Sequence, residues 1–147
     1  YGSTTVGEGG CGPSAMAMII TALTGERVTP DVVASYAALE GLYIPGTGSS
    51  WAIARVTAEH WGLKSKLLGA DAAKITATLQ SGGLVVTSGS GPLPFTSGGH
   101  YIVIRGIAPD GKWLIGDSGH VATNKKSWDP QHLLSIMNNG NVHAITK

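Results

Sequence analysis

The chain has little sulfur, little charge and almost no phenylalanine. Cys11 is its single cysteine, which excludes internal disulfides and any cysteine-rich zinc site. Charged residues make up 13% of it, about half the usual share of roughly 25%. Ten basic and nine acidic residues leave a net charge of +1, which is no electrostatic footprint for nucleic acid. Lys125-Lys126 is the one adjacent basic pair and reads as a solvated turn. No apolar run reaches the ~18 residues of a membrane span, and no stretch has the build of a secretory signal. There is no internal repeat, no His-x-x-x-His pair and no carboxylate cluster, so neither a metal nor another cofactor is expected. Gly46-Thr47-Gly48-Ser49-Ser50 lacks the following lysine of a phosphate-binding loop.

Glycine, by contrast, is abundant: 22 of 147 residues, about twice its ordinary share. With 42% hydrophobic residues the chain is not disordered, and without a three-residue glycine period it is not collagenous. Many tight turns and close backbone approaches fit better. The length suits one domain, residues 1–147. Because it opens on Tyr1 rather than Met, we expect a processed chain or a domain excised from a longer protein.

Residues 1–10 read as an extended lead-in. A helix follows Cys11-Gly12-Pro13-Ser14 and runs to Gly25; it is apolar nearly all round and so central and buried. Thr29, a plausible N-cap, opens a second helix through Ala38. A glycine-rich loop spans Gly41 to Ser50. Helices over Trp51–Trp61 and Asp71–Gln80 come next, each closed by glycine. Then the period changes. Leu84–Ser88, Tyr101–Ile107, Trp113–Asp117 and Val142–Thr146 read as strands, with Asp110-Gly111 as a hairpin turn between two of them. A late helix holds His132. Helices first and strands afterwards predict an α+β domain with an antiparallel sheet.

Cys11 stands where a helix begins. Free backbone N–H groups and the helix dipole there favour a thiolate near neutral pH. A thiolate catalyst needs a base, and His100 is the best of five histidines. It follows Ser97-Gly98-Gly99 and opens an apolar strand that holds it rigidly. His60, His120, His132 and His143 lack that setting. Asp117 ends the next strand, and a close hairpin returns it near the level of His100, where a carboxylate orients an imidazole. Each residue also has a bland reading: an inert buried thiol, a structural histidine, a turn aspartate.

The segment Gly10 to Met18, with Leu23-Thr24-Gly25 and Val28-Thr29-Pro30 behind it, resembles papain-like cysteine peptidases of the bacteriocin-leader-peptidase type. The branch it resembles is found in phage endolysins and secreted bacterial cell-wall hydrolases. Gly46 to Trp51, Gly62-Leu63, Phe95 to Val103 and Ser127-Trp128 extend the resemblance in order along nearly the whole chain.

The resemblance implies a papain-like fold with Cys11 as nucleophile, His100 as general base and acid, and Asp117 as orienter. It implies cleavage of a peptide or amide bond in peptidoglycan, outside the cell or in its wall, with wall-binding domains outside these residues. The antimicrobial lysis performed by bacteriophage endolysins follows from the same resemblance. Trp51, Tyr43 and Tyr101, with Gly99 beside the base, are candidate cleft residues; core packing is the other reading of the rings. Two departures stand out. Gly116-Asp117-Ser118 replaces the Asn-Asp-Pro of many relatives, and no Gln precedes Cys11 to serve the oxyanion. The Cys11 backbone N–H and a hydroxyl of Ser3, Thr4 or Thr5 are the substitutes. A double-glycine leader peptidase and a non-catalytic papain-like binding module are the alternatives.

Overall fold

The computed structural model describes residues 11–44, 48–90, 100–116 and 126–147, and only the backbone at residues 11, 43–44 and 48–49. Helix α1 (Cys11–Thr24) includes the cysteine in its first turn rather than starting after it. Gly25 closes the helix at φ +78°, and its N–H reaches Thr21 O at 3.0 Å. The all-round apolar pattern has the expected result: Ala15, Met16, Ala17, Ile19, Ile20 and Leu23 are buried. Each large aliphatic side chain among them stabilises the fold by about 1.5–3 kcal/mol.

Helix α2 (Pro30–Leu39) follows Thr29, which holds the extended N-cap backbone but makes no side-chain cap bond. Its carbonyl accepts from the N–H groups of Val32 and Val33. Its hydroxyl instead holds the Asp31 carboxyl below the ordinary value. The segment expected as a plain loop contains a small antiparallel pair, β1 (Tyr43–Ile44) with β2 (Gly48–Ser49). Helix α3 (Ile53–His60) is shorter than expected and is followed by Gly62 at φ +81°. Next come β3 (Lys64–Leu67) and α4 (Ala72–Gln80), which is capped by Asp71 accepting the Lys74 N–H at 3.1 Å.

The remaining elements are β4 (Leu84–Gly89), β5 (His100–Ile107), β6 (Trp113–Gly116), β7 (Ser127–Trp128), α5 (Pro130–Ile136) and β8 (Met137–Thr146). The six-stranded sheet has the order β3-β8-β4-β5-β6-β7, and every pairing is antiparallel. The β5–β6 turn forms at Asp110-Gly111 as expected. Ala108 N–H reaches Lys112 O at 2.8 Å, and Gly111 takes φ +84°.

Strand alternation divides the core in two. Val86, Tyr101, Val103 and Ile145 face α1, α2 and α3. Val85, Ile102, Ile104, Trp113, Ile115 and Val142 face Ile75 of α4 and Leu133 of α5. The molecule is therefore an α+β fold with helices on both faces of the sheet, not on one. The helical half also contributes an edge strand, β3. Lys64-Ser65-Lys66 carries no apolar alternation, so it gave no strand signal; pairing with β8 made it one.

Candidate active site

The two proposed reacting residues open neighbouring elements. Cys11 is the first residue of α1, whose first turn carries no acidic side chain to offset the helix field. His100 is the first residue of β5 and is buried at 9% exposure, opposite Gly89 on β4. The helix and strand pack together: Met18, two turns into α1, lies 3.7 Å from the point where a Gly116 Cβ would project, beside Val103. From that contact Cys11 is seven helical residues back, about 10 Å along the axis. His100 is three strand residues back from Val103, again about 10 Å. A side chain on Gly116 would press on Met18, so this glycine lets the helix lie close to the sheet.

Asp117, Ser3, Thr4, Thr5 and Gly99 lie outside the described residues, as does the Tyr43 side chain. What is described is the strand leading to Asp117. Gly116 pairs with Val103, so β6 runs antiparallel back along β5 toward the His100 end. Tyr101 is 8% exposed and belongs to the core cluster with α1, which makes its ring a packing element. Trp51 is 48% exposed, and its indole covers Gly140, whose Cβ would come within 3.2 Å of the ring.

The other described histidines have different surroundings. His60 stacks on Tyr36 with ring centroids 3.9 Å apart. His132 stacks on Trp128. His143 is half-buried; burial holds its imidazole below the ordinary value, and its Nε2 lies 3.0 Å from Asn141 Oδ1.

One polar cluster beside His100 had no counterpart in the sequence reading. Thr87 pairs with Val142 and Gly89 pairs with Met137. Between these pairs β4 has only Ser88, whereas β8 has Asn138, Asn139, Gly140 and Asn141. The extra residues fold their amides back onto the sheet. Asn138 Nδ2 and Asn141 Nδ2 donate to Ser88 Oγ at 2.9 and 2.7 Å. Asn139 Oδ1 accepts from Ala70 N–H at 2.8 Å. Asn141 is fully buried and Ser88 nearly so. Asn-Asn-Gly-Asn reads as a turn in sequence, because nothing local reveals that Ser88 will satisfy the amides.

Among the described residues, no three of His, Cys, Asp and Glu group so as to hold a metal. No helix there is long and apolar enough to cross a membrane.

A helix opening on cysteine, laid on an antiparallel sheet with a histidine at the head of a central strand, defines a papain-like cysteine peptidase domain. The model of the Peptidase_C39 like family matches residues 3–138, and the chain belongs to that family of cysteine peptidases. Its fold is similar to that of the peptidase domain of Streptococcus ComA, described as a bi-functional ABC transporter involved in a quorum-sensing pathway. That similarity has a TM-score of 0.67 at 14% identity over 94% of this chain and 90% of that one. It is also similar to a structure described as a C39-like peptidase from Bacillus anthracis, with a TM-score of 0.62 at 14% identity over 95% and 90% of the two chains. No curated protein matches the sequence.

Proposed function

We propose that this domain hydrolyses a peptide or amide bond in peptidoglycan, with Cys11 as nucleophile, His100 as base and acid, and Asp117 as orienter. The observation that supports the catalytic reading best is the packing of α1, which opens with Cys11, against β5, which opens with His100. The wall substrate rests on the endolysin-like order of motifs from Gly10 to Trp128.

The chemistry follows from the groups. His100 takes the thiol proton, and the thiolate sulfur attacks the carbonyl carbon. The Cys11 backbone N–H, at the positive end of α1, and a hydroxyl of Ser3, Thr4 or Thr5 receive the oxyanion. The C–N bond breaks as His100 protonates the departing amine, leaving a thioester on Cys11. His100 then takes a proton from water, whose oxygen attacks the thioester; the acid leaves and the thiol is restored. Asp117 holds the imidazole and offsets its charge. No step calls for a metal or other cofactor. A net charge of +1 gives little attraction to an acidic wall, so wall-binding domains outside these residues would deliver the enzyme to its extracellular substrate.

The structural similarity to the ComA peptidase domain favours a second reading, cleavage of a leader peptide after two glycines. Mass spectrometry separates the two. Purified peptidoglycan should yield new amino and carboxyl termini, while a double-glycine leader peptide should stay intact. Cleavage of the leader alone overturns the wall reading.

A further inference from the structure

The far side of the sheet from α1 carries a cavity of about 380 Å³ between β3, β8 and α4. Lys64 and Lys66 enter it from β3 and Lys74 from α4, with the hydroxyls of Thr78 and Thr146 beside them and Ala144 in the wall. The register explains the arrangement: Lys64 stands opposite Thr146 and Lys66 opposite Ala144, so both lysines share one face. Gly83 lets α4 close on the sheet, since a Cβ there would meet both Thr78 Cγ2 and Thr146 Cγ2 at 2.9 Å. A second cavity of about 310 Å³ shares Thr146 and continues to Lys147. Together they form a groove along this end of the sheet.

Three ammonium groups face this groove without a compensating anion. The ion pair found among the described residues is elsewhere, between Arg55 and Glu59. Asp71 is near in sequence, but its carboxylate accepts the backbone N–H of Lys74 and forms no ion pair with the ammonium. Lysines on an edge strand also discourage pairing with other chains. That role accounts for Lys64 and Lys66 but not for Lys74, which reaches the same cavity from a helix.

The occupant must be anionic. Lysine with threonine hydroxyls suits phosphate, whereas carboxylate recognition favours the planar fork of arginine, and no arginine lines the cavity. No aromatic ring lines it either, which removes the stacking platform that single-stranded nucleic acid uses. The groove's extent calls for a chain of charges rather than one ion. We infer that it binds a linear phosphodiester polymer without nucleobases. This holds whichever bond the enzyme cuts.

Inorganic polyphosphate, titrated calorimetrically into the protein, is the probe. Binding is expected, and the triple exchange Lys64→Gln, Lys66→Gln and Lys74→Gln should weaken it at least tenfold. It should also lower the salt dependence by about two counterions. Exchanging Arg27, Arg55 and Lys112 for Gln removes the same charge elsewhere and should leave most of the affinity. Lys74→Glu alone, at an exposed position, should also weaken binding. Circular dichroism checks that each variant is folded. Absent binding, equal loss in the control variant, or polyglutamate or single-stranded DNA binding as tightly as polyphosphate would each overturn the inference.

Discussion

Asn141 donates its side-chain amide to Ser88 Oγ at 2.7 Å, joining residues fifty-three positions apart in a fully buried contact one residue from the Gly89–His100 pair. Asn138 reaches the same oxygen. The strand end that carries the proposed base is thus tied to the C-terminal strand by side chains as well as by the backbone ladder.

Ser88→Ala removes the acceptor of both amides. A buried donor left unsatisfied costs about 1–3 kcal/mol. Urea unfolding should therefore show a lowered midpoint with an unchanged slope. A midpoint within error of the parent would mean that the amides find other partners.

Cys11→Ala should abolish hydrolysis of peptidoglycan while leaving the circular dichroism spectrum unchanged. In the parent, iodoacetamide should alkylate Cys11 in the native state at neutral pH, because the helix start favours the thiolate. Retained lysis, or labelling only after denaturation, would make Cys11 an inert core residue.

His100→Ala should remove turnover, and His60→Ala should not. His60 is exposed and stacked on Tyr36 at the end of α3, remote in role from the strand that His100 opens. Turnover assays of the two purified variants decide it: loss in the His60 variant alone would assign the base to the wrong histidine.

The pH dependence of stability should carry a signature of His143. Burial lowers its folded-state value below the ordinary 6.5, so the unfolded chain binds its proton more readily. Stability from this group is complete above about pH 6.5 and falls as the pH drops through the lowered folded value. The difference in urea midpoint between the parent and His143→Gln should shift in that direction between pH 7.5 and 5. A constant difference would show that His143 titrates alike in both states.

The local chemistry of the sequence settled much of this protein. The apolar stretch after Cys11 had to be a buried helix, because no polar face was available to meet water. Asp110-Gly111 had to turn the β5–β6 hairpin, and Asp71 had to cap α4. The motifs around Cys11 and His100 placed the chain in its family. Tertiary structure decided the rest. Only pairing with β8 makes Lys64–Leu67 a strand, and the helices turn out to cover both faces of the sheet. The four residues Asn138 to Asn141 became part of a strand because Ser88, far away in sequence, accepts their amides. Tyr101 became core because strand alternation turned it toward α1. Hydrogen bonds and burial of this kind depend on partners that meet only when the chain is folded, and periodicity along one segment does not carry them.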